Sequence, residues 1–267
     1  MKELRSRHFT NGSVYCLELE DGRLIETTDT FLPYYTKECV NGTNALRDGN
    51  IGSRAERWMI GVSTMSGCPV GCKFCATGQM KGWRNLTAKE ITDQVKFVML
   101  EKNEEFLDSL GFEHPKELKI NYTRMGEPFL NIDEVRKAID MFQQHRNDIL
   151  FHHYISTIGV RGSDFSWIKD NITLQISLHS LDEDRRRELI PVNNLMTIEE
   201  LGQIRTKSKL KTTVNLTLVD EADFDIDKLK RYFDPKYFFI KLSPINRNEI
   251  SDQNGLGAGI ITTTNII

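Results

Sequence analysis

The chain has 267 residues, 39% of them hydrophobic, enough for a large core in one α/β domain or two smaller ones. A net charge of −3 excludes a globally basic nucleic-acid-binding protein, though not a local basic face. With no signal-type N-terminal stretch and no run of about 18 apolar residues, the sequence reads as a soluble cytoplasmic protein, and five cysteines over this length do not make a secreted disulfide framework.

Residues 13–27 (SVYCLELEDGRLIET) read as a β-hairpin, because two alternating runs flank the turn signal Asp21-Gly22. Residues 28–57, with Asn41-Gly42 and Asp48-Gly49 and few periodic apolar positions, read as a long loop. From there β-type runs recur at 58–63, 117–123, 152–158, 172–178, 211–219 and 237–243. Helix-period segments lie between them at 87–106, 132–146, 163–169, 182–188 with 197–208, and 224–233. Thr87 with Glu90, and Thr197 with Glu200, have capping-box spacing, and Asn131 or Asp133 can cap the second helix. Six strand–helix alternations predict βαβ units and a parallel sheet, open or partly closed into a barrel. The expected division is a hairpin and loop over 1–57, a βα core over 58–246 and a tail over 247–267.

Parallel α/β folds gather function at the C-terminal ends of their strands. Here those ends carry Cys68, Cys72 and Cys75, then Arg124-Met125-Gly126-Glu127-Pro128, Ser156-Thr157-Ile158-Gly159, Ser177-Leu178-His179, and Ser243-Pro244-Ile245-Asn246. Three thiolates suit an iron–sulfur cluster with one open iron, a catalytic zinc with an open position, or a structural zinc completed by a distant histidine. An incidental, metal-free cluster of cysteines is the fourth possibility.

The stretch Cys68-x₃-Cys72-x-Phe74-Cys75, directly after the first strand of a βα array, resembles the signature of the radical S-adenosylmethionine (SAM) enzymes. Gly67–Gly78, Arg84-Asn85-Leu86-Thr87, Met125-Gly126-Glu127-Pro128-x₂-Asn131, Ser156-Thr157-x-Gly159, Ser177-Leu178-His179 and Arg187-x-x-Ile190-Pro191-Val192-Asn193 resemble the RlmN/Cfr family of RNA adenine methylases, as does Leu19-Glu20-Asp21-Gly22 in the hairpin. The resemblance implies a partial (βα)6 radical SAM barrel with an N-terminal β-hairpin. It implies a [4Fe–4S] cluster on Cys68, Cys72 and Cys75, and reductive cleavage of SAM to a 5′-deoxyadenosyl radical. It implies SAM contacts from Gly126, Glu127, Ser156, Ser177, Leu178, His179 and Asn246, a general acid/base at Glu26, a reducing partner such as a flavodoxin or ferredoxin, and an RNA substrate.

The family also uses two further cysteines, one seven residues before the first cluster cysteine and one near the C-terminus. Here the first of these positions is Gly61, and no cysteine follows Cys75. Cys16 alternates within the hairpin, and Cys39 lies beside Lys37 and Glu38 in the loop. The apolar end GLGAGIITTTNII suits the interior of an element, so the expectation is either a truncated member or a branch with different chemistry. Without the two thiols, the family's methyl transfer is not expected. Lys81, Trp83 and Arg84, and Arg185-Arg186-Arg187, are candidate RNA contacts. A radical reaction on a small molecule or peptide, or cluster and SAM binding without turnover, are the rival readings.

Overall fold

The computed structural model describes residues 1–33, 51–104, 115, 117–145, 151–218, 223–243, 245 and 247–256. Cys39, Asn246 and residues 257–267 of the apolar end lie outside the described residues. The strands are β1 (Lys2–Phe9), β2 (Gly12–Glu18), β3 (Leu24–Leu32), β4 (Arg57–Val62), the two-residue β5 (Met65–Ser66) and β6 (Arg84–Asn85), β7 (Glu117–Tyr122), β8 (Phe151–Thr157), β9 (Ile172–Ser177), β10 (Thr212–Thr217) and β11 (Phe238–Ser243). The α-helices are α1 (Ala88–Lys96), α2 (Ile132–His145), α3 (Glu183–Leu189), α4 (Ile198–Gly202), α5 (Ile226–Tyr232) and α6 (Glu249–Gln253). The six β-type runs of the sequence become β4 and β7 through β11, so the chain is mixed α/β with parallel strands behind an antiparallel N-terminal set.

Two compact units form. The first comprises residues 1–66, 85–125 and 131–154, and the second 67–84, 126–130 and 155–267. In the first, β1, β2, β3 and β4 pair antiparallel in that order, and β7 adds parallel to β4. Alternation sorts their side chains, placing Leu17, Ile25, Trp58, Ile60, Leu118 and Ile120 on one fully buried face. α1 opens on the expected capping box of Thr87 and Glu90 and packs on β4 and α2. Its helix-side neighbour Phe97 meets Tyr15 of β2 edge-to-face at 5.2 Å. Asn131 stands just before α2 and donates its amide to the carbonyls of Thr64 and Leu86, both at 2.8 Å.

The buried carboxylate of Asp29 on β3 gathers donors from three segments. Arg54 contacts it through Nε and Nη2, Trp58 Nε1 donates at 2.8 Å, and Asn103 Nδ2 donates at 3.2 Å. A carboxylate taken out of water is tolerable only with such partners.

In the second unit β10 pairs parallel with β9 and with β11. Leu174, Ile176, Val214 and Leu216 are buried, while Gln175, Ser177, Asn215 and Thr217 alternate as half-buried polar positions. Thr197 and Glu200 form the second expected capping box, and Asp182, Asp225 and Asn248 cap α3, α5 and α6.

Several elements differ from the sequence expectation. β1 precedes the hairpin unannounced, because KELRSRHF is an edge strand exposed on nearly every residue and has no apolar alternation. β3 extends through Leu32 into the stretch read as loop. Residues 163–169 make turns rather than a helix, since Gly162 at φ +88° and the Asp164 side chain bonded to Ser166 N favour local bends. The segment 197–208 is helical only over α4, and the segment 87–106 passes from α1 into a π-turn at Phe97–Glu101.

Candidate functional site

The cysteine loop lies in the second unit, which supplies its anchors. Lys73 N donates to Leu189 O at 3.0 Å, and Lys73 Nζ pairs with Glu188 at 3.0 Å. Asn248 Nδ2 donates to Phe74 O at 3.0 Å and Asn254 Nδ2 to Lys73 O at 2.9 Å, so both ends of α6 grip the loop. The loop closes on itself so tightly that a Cβ on Gly78 would lie 2.8 Å from Gly71 Cα, which excludes any side chain there.

Cys68, Cys72 and Cys75 are all free thiols, with Cys72 buried. Burial pushes the Cys68 thiol up to about 11, and the nearby Cys75 and Glu127 add to the rise. Cys72 is raised further by burial and then by the charges of Cys75, Cys68 and Glu127. These are soft donors that bury negative charge together, and a cationic iron core would lower the cost of ionising them. Among the described residues no three His, Cys, Asp or Glu side chains converge as tightly as a single ion requires.

Glu127 lies 4% exposed in the same unit. Its Oε1 accepts from Phe129 N at 3.1 Å, its Oε2 from Ile158 N at 2.9 Å, and Thr157 adds a side-chain hydrogen bond. Burial nevertheless lifts the carboxyl to about 7, and the three hydrogen bonds only partly counter it. No cation among the described residues forms a salt bridge with it. Gly126 turns the chain into this position at φ +101°.

Ser156 Oγ donates to Gln175 Oε1 at 3.0 Å, which holds it on the half-buried polar side of β8. Ser177 sits opposite Asn215, whose Oδ1 accepts from Ser243 Oγ at 2.9 Å. Leu178 is wholly buried and its N–H donates to Asn215 O at 2.9 Å. His179 adopts φ +65°, a left-handed conformation not shared by another non-glycine residue among those described. Its ring meets Phe74 of the cysteine loop at 4.7 Å, and its buried Nδ1 has no hydrogen-bond partner among the described residues. Burial, then the Arg186 charge, hold its imidazole down to about 4, so it is neutral at pH 7.

Three contributors escaped the sequence reading. Thr157 and the Ile158 N–H hold Glu127, and the Thr157-x-Gly159 spacing contained that information without naming the recipient. Asn215, a polar residue inside an apolar strand, was a usable signal. Arg186 is fully buried, with Nη2 donating 2.6 Å to Ile158 O and Nη1 donating 2.5 Å to Met196 O. It read as part of an exposed arginine run, and nothing local in the sequence separates it from its neighbours.

Glu26 belongs to the first unit. Its carboxylate pairs with Arg124, and its backbone oxygen accepts from Ser63 Oγ at 2.6 Å. The Arg124 stem lies over Gly61, where an added Cβ would stand 2.3 Å from Thr28 Oγ1 and 3.0 Å from Arg124 Cδ. A cysteine at position 61 therefore has no room beside these neighbours as they stand. Of the candidate RNA contacts, Trp83 is half exposed and Arg186 is buried away from any ligand on the surface.

The family model described as the radical SAM superfamily matches residues 62–233. A protein of Heliobacterium modesticaldum named "Probable dual-specificity RNA methyltransferase RlmN" is 30% identical over 87% of this chain and 57% of its own length. One of the same name from Dictyoglomus turgidum is 31% identical over 89% of this chain and 63% of its own. The crystal structure of a radical SAM methyltransferase from Sphaerobacter thermophilus shares the fold, with TM-score 0.64 and 24% identity over 92% of this chain and 67% of that one. The chain thus spans about three fifths of the length of the curated relatives it matches.

Proposed function

From the chain's membership of the radical SAM superfamily, we propose that Cys68, Cys72 and Cys75 hold a [4Fe–4S] cluster, that Glu127 and the strand-end residues bind SAM, and that the enzyme acts on an RNA nucleobase. When bound and reduced, by a flavodoxin- or ferredoxin-type partner, the cluster supplies the electron that cleaves SAM to methionine and a 5′-deoxyadenosyl radical.

One observation carries this reading. Three thiols and a buried carboxylate lie together in one unit, burial makes Cys68, Cys72 and Glu127 harder to ionise, and no cation among the described residues forms a salt bridge with the carboxylate. Such a place is completed by ligands that bring positive charge. An iron core serves the thiolates, and the SAM ammonium serves Glu127, which keeps lone pairs to spare after its three protein donors. His179, neutral and with Nδ1 unclaimed, offers a polar edge beside the loop. Ser156, Ser177 and Asn215 supply further hydrogen bonds along the half-buried polar side of the strands. Asn246 completes the set by resemblance.

The RNA substrate is carried over from the relatives' names. Their dual-cysteine methyl transfer is not, because Gly61 stands at one of the two thiol positions. The decisive experiment is anaerobic reconstitution with iron and sulfide, then reduction in the presence of SAM. We expect release of 5′-deoxyadenosine that is abolished in Cys72→Ala and needs more SAM in Glu127→Gln. A colourless protein that retains zinc and releases none would overturn the reading. No methyladenine is expected from RNA treated with this chain, and recovering it would restore methyl transfer.

A further inference from the structure

We propose that the polar face of the first unit's sheet is a docking surface for single-stranded RNA, entered over β1 and leading to Glu26. The RNA identity of the polyanion rests on the reading above; the surface itself stands on the following geometry.

β1 pairs with β2 so that Arg5 lies opposite Cys16, Arg7 opposite Val14 and Phe9 opposite Gly12. Those β2 positions alternate with the buried Tyr15 and Leu17, so Arg5, Arg7 and Phe9 project from the side away from α1. His8 confirms the parity from the other side: its ring meets Tyr15 and its Nδ1 bonds to Ser13 Oγ. Arg5, Arg7 and Phe9 are all exposed. Neither arginine makes a salt bridge among the described residues, whereas Glu3, the acid on the same strand, is taken by Lys102. Arg7 lies over the Phe9 ring at 5.0 Å, which fixes a cation on the face of an aromatic.

Two uncompensated guanidiniums and a ring, at alternate positions roughly 7 Å apart along a strand, match a flexible polyanion with flat bases. Cations track its phosphates and the ring stacks a base. The same face continues inward. Cys16, opposite Arg5, lies opposite Glu26 on its other side, so Glu26 stands two strands from Arg5, roughly 10 Å across the sheet. A strand of RNA held by β1 therefore passes over the carboxylate that resemblance assigns to acid–base work, with Arg124 beside it. The exposed edge of β1 could instead add a peptide strand, but backbone pairing has no use for paired cations on the face.

The test is binding of a fluorescein-labelled, unstructured RNA of about 12 nucleotides to the reconstituted chain, read by anisotropy over a range of salt. Arg5→Ala/Arg7→Ala is expected to weaken binding at least about tenfold and to flatten the log–log salt slope by about 1.4, two single-strand phosphate contacts. Phe9→Ala should weaken it at least about fivefold with the slope unchanged. Arg5→Lys/Arg7→Lys should keep the slope. Thermal unfolding and RNA-free release of 5′-deoxyadenosine should match the parent in all three variants. Unchanged affinity and slope in Arg5→Ala/Arg7→Ala would overturn the proposal, as would equal binding of polyglutamate or anionic vesicles. If the parent releases no 5′-deoxyadenosine, the proposed function fails while the binding arms still decide the surface.

Discussion

Truncating Asp29 leaves a guanidinium, an indole N–H and a carboxamide around an emptied site. Breaking a buried charged network in this way typically costs about 3–5 kcal/mol. Asp29→Ala is therefore expected to lower the urea midpoint far more than loss of the exposed Arg161–Glu200 pair would. His153 makes a prediction about pH. Its Nδ1 bonds to the Tyr122 hydroxyl at 3.0 Å, and burial depresses its imidazole to about 3 from the ordinary 6.5. Between those values the unfolded chain binds the proton and the folded chain does not. The contribution of His153 is thus fully present above pH 6.5 and is lost as pH falls towards 3. His153→Gln keeps a polar partner for Tyr122 and cannot titrate. Denaturation midpoints for that variant should fall less steeply between pH 6.5 and 4; an unchanged acid limb would show that His153 is not the group responsible.

At the scale of elements, α3 does more than cross over between strands. Through Arg186 it holds the Ile158 carbonyl, while the N–H of the same residue donates to Glu127. Pinning that carbonyl fixes the backbone of Ile158 and so the direction in which its N–H points at the carboxylate. Arg186→Met is expected to raise the KM for SAM several-fold with a smaller effect on turnover, and Arg186→Lys to recover part of it. Equal effects on both constants would make the residue merely structural. Little of this was legible in the sequence, since Arg186 sits between two other arginines and its burial depends on chain segments beyond α3. What was legible was whatever short-range physics decides. Period-two apolar runs located β4 and β7 to β11 within a residue or two, and Thr87/Glu90 and Thr197/Glu200 marked true helix starts. The misses share a cause as well. β1 is held by backbone pairing at an edge rather than by burial, and the 163–169 segment is governed by turns whose partners lie in its own side chains. The cysteine motif named its three candidate ligands at once, whereas the support around Glu127 is assembled from tertiary contacts.

For the whole molecule, the two units are interleaved along the chain, which passes between them after Ser66, Arg84, Met125, Leu130 and Tyr154. The loop bearing the thiols is accordingly held by residues far along the sequence, with separations of 115, 174 and 181 for Glu188, Asn248 and Asn254. Asn248→Ala/Asn254→Ala should cost about 1 kcal/mol or more as a lost cap, and should speed removal of iron from the reconstituted chain by a chelator. Chelation at the parental rate would mean that α6 does not secure the loop. These separations also set a clock during synthesis. At about 5–20 residues per second, Asn254 follows Lys73 off the ribosome by roughly 10–40 seconds. Through that interval three thiols stand in a segment without its final fastening, open to oxidants and to stray zinc. On the proposed function, loading of these thiols with iron and sulfide is expected to follow completion of α6, and cells short of iron or rich in zinc should accumulate a wrongly metallated population that translation itself has made possible.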